Sequence, residues 1–268
     1  MEKELVYAMD LGLQGKRAII TGGSKGIGFA TAMQLAAEGA QVALIARNEG
    51  PLKEAAQRIA EKTGTEPFII AADVSIEAEV QRAVAAIAER FGGIEILINN
   101  AGTSAAKPFE AVDTSAWTAD LDLKLFGAVH CAKAALPYMR QAGGGAIVNV
   151  TAVGGKTPSD ASLPTSVSRA AGLALTKAMS KDLAPDGIRV NAVCIGLIRS
   201  DQIEQMWQAT APHLTWDEFA ADPRHAIPLG RIGRAEEAAN VITFLVSEAA
   251  SYVSGTAVNI DGGKAAVL

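Results

Sequence analysis

From position 16 onward the chain alternates short apolar runs with longer amphipathic ones: RAII, FATAMQLAAEG, QVALIA, PLKEAAQRIAEKTG, PFIIAA, EAEVQRAVAAIAERFGG and IEILINN. Apolar runs of about four to six residues are strand length, and intervening stretches of about ten or more with helical spacing make each repeat a βαβ unit. Strands joined that way are parallel, and right-handed crossovers place helices on both faces of one sheet. The predicted fold is therefore α/β, a single-domain, doubly wound, Rossmann-like parallel sheet of about seven strands. Such a sheet binds ligands beyond the carboxyl ends of its strands. Gly22, Arg47, Asp73 and Asn99 close or follow the first four strands in turn, and that coincidence predicts a nucleotide site.

The second half continues the pattern with longer elements. A helical stretch over residues 115–141 leads through AGGG to the strand AIVNVTA, and a second long helix is expected over residues 165–184, stopped by LAPDG. After the strand IRVNAVCI, residues 197–228 carry Trp207, His213, Trp216 and Phe219 and read as a lid over substrate. Trp207 and Trp216 either line an apolar pocket there or pack the lid onto the body. AEEAANVITFLVSEAA is the last helix and GTAVNI the last strand. Residues 1–11 have mixed charge and no period, so they are expected to form a surface extension to the domain over residues 12–268.

The run TGGSKGIG, Thr21 to Gly28, sits at the junction of the first strand and helix. A phosphate approaches backbone N–H groups closely only where no Cβ intervenes, which Gly22, Gly26 and Gly28 allow, and the helix starting near Gly26 aims its positive end at a pyrophosphate.

Composition narrows the partners. With 268 residues, 49% of them hydrophobic, the chain is long enough for one sizeable core. A net charge of −5 without a Lys/Arg block argues against nucleic acid and anionic membrane. No apolar run reaches the ~18 residues of a membrane span, and MEKELVYAMD lacks the order of a signal peptide, so the cytoplasm is the expected compartment. Cys131 and Cys194 read as buried free thiols. Neither they nor the three histidines have metal-ligand spacing, and no metal is expected.

The spacing TGxxxGxG resembles the short-chain dehydrogenase/reductase family, and further stretches match it in order: AADVS with Asp73 and Val74, NNAG from Asn99 to Gly102, GAIVNV, IRVNAV, IPLGRIGRAEEAA and NIDGG. The resemblance covers about residues 12–263 and is strongest to the 3-oxoacyl-acyl-carrier-protein reductases. It implies cofactor contacts from Gly22, Ser24, Lys25, Gly26, Ile27 and Gly28, from Arg47, from Asp73 and Val74 at the adenine, and from Asn99, Ala101 and Gly102 near the ribose. Arg169, Gly196 and Ile198 complete the set. A carboxylate after the second strand would mark NAD, whereas Arg47 stands there with Lys25 nearby, so NADP(H) is expected. The family also implies a homotetramer, or at least a dimer, through the two long helices and the last strand, with small-residue faces at Ala128, Ala132, Ala135, Ala170, Ala171, Ala174 and Ala178.

The family's four catalytic positions are all substituted. Thr165 stands at the Tyr, Arg169 at the Lys, Ala152 at the Ser and Lys124 at the Asn. Tyr7, Tyr138 and Tyr252, the only tyrosines, lack a Lys four residues on. Ile195 also replaces the Pro usual before Gly196. A threonine hydroxyl by itself is far too weak an acid to replace tyrosine, and an arginine does not shuttle protons. What remains is a polar pocket of Lys124, Thr151, Thr165, Ser168 and Arg169, with Asp160 and Ser162 on the loop above.

Three functions compete for that pocket. One is a carbonyl/alcohol oxidoreductase on a small ketone or acyl thioester, with Lys124 as acid, Thr165 orienting the substrate, and Ser162 or Ser168 next in line. The second is a nucleotide-binding sensor or partner subunit without turnover, and the third a non-redox lyase or hydrolase. Lys124 is equally readable as the salt-bridge partner of Asp120 or Asp122.

Overall fold

The computed structural model describes residues 10–268, so all but the last two positions of the expected extension lie outside the described residues. The strands are β1 (Arg17–Thr21), β2 (Gln41–Ala46), β3 (Phe68–Ala71), β4 (Ile96–Asn99), β5 (Gly145–Ala152), β6 (Ile188–Ile195) and β7 (Ala257–Ile260). They form one parallel sheet in the order β3-β2-β1-β4-β5-β6-β7. The order reverses between β1 and β4, which opens the crevice at the carboxyl ends of those two strands.

Strand alternation divides the core. Ile20, Val42 and Leu44 face one layer with Leu35 of α1 (Gly26–Ala37), Ile59 of α2 (Glu49–Thr63) and Ile242 of α9 (Ala235–Val246). Ile19, Ala43 and Ile45 face the other, with Val84 of α3 (Glu77–Phe91) and Met139 of α5 (Gly127–Gln141). Covered on both faces, these strands are apolar throughout rather than alternating with polar residues. Each fully buried Ile or Leu contributes ~1.5–3 kcal/mol.

The expected helix over residues 115–141 is continuous but not uniform. Asp113 caps α4 (Thr114–Leu121) by accepting from Ala116 N at 2.8 Å, and a π turn at Asp122–Phe126 joins α4 to α5. A π turn widens the backbone ring locally and is a frequent companion of functional sites; here it carries Lys124. The second long helix, α6, spans Thr165–Asp182.

The lid contains α7 (Asp201–Thr210) and α8 (Trp216–Ala220) around a small core of its own. Trp207 and Trp216 stack edge to face with centroids 5.7 Å apart, and Trp207 Nε1 donates to Leu214 O at 3.0 Å. Both rings pack inside the lid, against each other and Phe219. The small-residue faces need a correction: Ala132 and Ala135 are buried in the chain's own core, whereas Ala174 and Ala178 are exposed. No helix among the described residues is long and apolar enough to cross a membrane, and they contain no cluster of three or more His, Cys, Asp or Glu side chains arranged to hold a metal ion.

Candidate functional site

The glycine run forms the β1–α1 turn. Gly22 and Gly26 adopt left-handed backbone, φ 64° and 53°, which a side chain resists. A Cβ on Gly28 would lie 2.3 Å from Gly22 O and 2.5 Å from Asn100 Nδ2, so the helix meets the turn at backbone contact. Asn100 is the clamp: its Nδ2 donates to Thr21 O at 3.0 Å and Gly22 O at 3.2 Å. Thr21 Oγ1 in turn accepts from Asn100 N and Ala101 N, each at 3.0 Å. Asn99, next to it, turns its side chain toward β5, where Nδ2 donates to Asn149 Oδ1 at 2.9 Å and pins β4 to β5 at the edge of the crevice.

Arg47 stands exposed just past β2. Asp73 Oδ1 accepts from Ser75 N and Ser75 Oγ, which fixes the turn after β3 and leaves the other carboxylate oxygen for a ligand amine. Ile198 is buried and bridges to Gly233, while Gly196 packs against Asp261, where a Cβ would come within 2.7 Å. Lys25 Nζ donates to Asp201 Oδ2 at 2.7 Å.

Deeper in the crevice, four side chains form one hydrogen-bonded cluster. Asp120 accepts from Lys124 Nζ on one carboxylate oxygen and from Ser168 Oγ, at 2.6 Å, on the other. Lys124 Nζ also donates to Thr165 Oγ1 at 3.0 Å, and Thr165 Oγ1 accepts from Ala105 N at 2.8 Å. The Asp120 and Lys124 side chains are only 3% and 1% exposed. The salt bridge that competed with a catalytic role for Lys124 is therefore present, and its partner is Asp120. Burial pushes the Lys124 ammonium below the usual lysine range and the Arg169 charge adds to this, while Asp120 opposes it.

Arg169 borders the same crevice. Its Nη1 donates to Val150 O at 2.6 Å, and a Cβ on Gly102 would stand 3.1 Å from its Nη2. Arg169 Nε and Asn99 Oδ1 are buried without a protein partner, and both residues border a cavity of about 20 Å³, room for one water. Other positions are committed elsewhere. Thr151 Oγ1 donates to Val193 O at 3.0 Å, Ser162 Oγ donates to Ser159 O at 2.6 Å, and Ala152 has no polar side-chain atom. Asp160 is exposed on its loop.

Residues 22–265 match the family described as enoyl-(acyl carrier protein) reductase. A 3-oxoacyl-[acyl-carrier-protein] reductase from Aquifex aeolicus is 33% identical, over 95% of this chain and 99% of that one. The chain belongs to the short-chain dehydrogenase/reductase family. Two solved proteins are similar to it in structure. L-sorbose reductase from Gluconobacter frateurii, complexed with NADPH and L-sorbose, has a TM-score of 0.91 at 34% identity, covering 97% of this chain and all of that one. A short-chain oxidoreductase from Pseudomonas aeruginosa containing an atypical catalytic center reaches 0.92 at 34% identity, covering 96% and 100%. Its NADPH-bound form gives 0.90 at 33% identity, covering 95% and 99%.

Two residues of this short-chain dehydrogenase/reductase site escaped the sequence reading, Asn100 and Asp201. Asp120 was one of the two acids expected to meet Lys124, and it is the one four residues before it, the spacing at which helical side chains meet.

Proposed function

We propose that the protein is an NADP(H)-dependent carbonyl/alcohol oxidoreductase in which Lys124, acting through Thr165, stands in for the tyrosine acid. One observation carries this. Thr165 Oγ1 accepts from both Lys124 Nζ and Ala105 N, and neither group can accept in return, so the threonine's own hydrogen is left for an oxygen in the crevice. Thr165 is only half-buried, whereas Lys124 lies enclosed behind it. The sequence-based role of Thr165, orienting substrate, thus grows into delivery of the proton.

NADP(H) fits the residues present. The turn at Gly22–Gly28 is open to a pyrophosphate, Asp73 keeps an oxygen for an adenine amine, and Arg47 offers an exposed cation just beyond β2. Bound there, NADPH supplies the hydride. Thr165 Oγ gives its proton to the carbonyl oxygen, takes one from Lys124 Nζ, and leaves Lys124 as a neutral amine beside Asp120. Arg169 stays charged throughout and holds the crevice positive while the alkoxide forms. The substrate is a small carbonyl compound, with ketones and 3-oxoacyl thioesters as first candidates.

Two measurements test this. NADPH oxidation should rise above background with at least one member of a panel of ketones, aldehydes and 3-oxoacyl thioesters. Calorimetry should show NADP+ binding tighter than NAD+, and Arg47→Ala should weaken NADP+ by about tenfold to a hundredfold, ~1.5–3 kcal/mol, without affecting NAD+. Equal binding of the two nucleotides by the wild type would sink the cofactor assignment. Binding with background oxidation across the panel supports the second reading, a nucleotide-binding subunit or sensor, which the missing hydroxyl at Ala152 and the ion-paired state of Lys124 favour.

The assembly we propose is a homotetramer, or at least a dimer, built on the two long helices and β7, with Phe126 of the π turn and Val167, Ala174 and Ala178 of α6 exposed. Sedimentation at micromolar concentration should give particles of about four chain masses, or at least two. Particles of only the 27.7 kDa chain mass would overturn it.

A further inference from the structure

The first turn of α7 crosses the mouth of the crevice and is fastened on both rims. On the glycine-turn side, Lys25 Nζ donates to Asp201 Oδ2 at 2.7 Å. On the side of the loop after β4, Ser104 N donates to Gln202 Oε1 at 3.0 Å. Ser200 caps α7 by accepting from Ile203 N, and its Cβ is the atom that a Cβ on Gly26 would meet first, at 3.9 Å. The start of the lid therefore lies directly over the backbone that a pyrophosphate would approach.

Lys25 is thus claimed twice. It sits in the glycine turn, within the reach expected of a 2′-phosphate contact, yet its ammonium is bonded to a carboxylate of the lid 176 positions along the chain. We infer that Asp201 is a cofactor-discriminating residue, an internal carboxylate that competes with the 2′-phosphate of NADP(H) for Lys25 and gives up the lysine when that phosphate binds. The exchange needs little driving force. Both side chains are more than half exposed, at 59% and 52%, and ion pairs in that setting add little to stability. A phosphate, with about two negative charges and three acceptor oxygens, is the stronger partner. Asp201 keeps a favourable position after release, because an acid in the first turn of a helix is stabilised by the helix dipole. A nucleotide without the 2′-phosphate leaves the Lys25–Asp201 tie intact, so the lid's first turn responds to the phosphate that separates the two nicotinamide cofactors.

The inference rests on the NADP(H) reading, and the test separates the two. Calorimetry with the full chain would compare adenosine 2′,5′-bisphosphate with adenosine 5′-monophosphate, while tryptophan fluorescence in a Trp117→Phe background, which leaves only Trp207 and Trp216, follows the lid. Asp201→Asn should tighten the bisphosphate by about two- to fivefold and leave the monophosphate within experimental error. Lys25→Met should weaken the bisphosphate by about tenfold, and adding Asp201→Asn to it should bring no further gain. In the Trp117→Phe background the bisphosphate, and not the monophosphate, should shift the tryptophan emission, and adding Asp201→Asn should show part of that shift before any ligand is added. A bisphosphate preference that persists unchanged in Asp201→Asn overturns the inference alone, as does an equal gain in the Lys25→Met background, which would mean a general charge effect. Equal binding of the two probes by the wild type overturns the NADP(H) reading and this inference with it.

Discussion

Replacing Lys124 by methionine is expected to lower carbonyl reduction by about 10²–10⁴-fold, the usual contribution of a positioned general acid. Thr165→Val should fall with it, because Lys124 Nζ reaches the crevice through Thr165 Oγ1, 3.0 Å away. Thr165→Ser keeps the hydroxyl and should retain most of the rate. Lys124→Met alone also strands the buried Asp120 carboxylate, at a cost of about 3–5 kcal/mol, so loss of folding could imitate loss of chemistry. The double variant Asp120→Asn with Lys124→Met removes both charges and separates the two effects. Urea unfolding should place it well above the single variant in stability, and it should bind NADPH yet still lack turnover. A double variant that folds, binds and reduces substrate at the wild-type rate would show that Lys124 is not the proton source. The pH profile adds a sign. An acid works while protonated, so reduction should decline as pH rises through the Lys124 pKa. Burial sets that decline below the range near ~10.4 where an ordinary lysine would put it.

Gly28→Ala should remove nucleotide binding almost completely, by about a hundredfold or more. The new methyl would stand 2.3 Å from Gly22 O and 2.5 Å from Asn100 Nδ2. Neither atom is the free end of a flexible side chain: the first is backbone and the second is bonded to Thr21 O and Gly22 O. The turn itself must move, and overpacking of this kind costs about 1–3 kcal/mol of stability. Gly50→Ala is the matched control, since it lies in α2 with open space around its Cβ position. Alanine should stabilise that helix slightly and leave affinity unchanged. Fluorescence titration with NADPH and urea unfolding check both variants, and a Gly28→Ala affinity within twofold of wild type would refute the close-packed turn as the binding element.

The parallel sheet, its two helical layers and the turn at Gly22–Gly28 were legible in the order of residues alone. Their signals are local: apolar runs of strand length, helical spacing between them, and glycines where neither a side chain nor a right-handed backbone fits. Lys124, Thr165, Ser168 and Arg169 were likewise named as one pocket, because helical spacing puts the last three on one face of α6. The further partners of these groups were not legible. Spacing along the helix favoured Asp120 over Asp122 for Lys124, but Ser168 of α6 on the other oxygen of Asp120 follows only from how the two helices pack. Which asparagine of the pair held the glycine turn depended on the sheet: Asn99 still belongs to β4 and turns its side chain toward β5, while Asn100 lies past its end, beside β1. The partner of Lys25 lay 176 positions away, in the first turn of α7. Spacing along a chain determines which face of an element a residue occupies, because the backbone geometry of helix and strand is periodic. Which charge meets which depends on how those faces are stacked in space, and only the tertiary structure decides that.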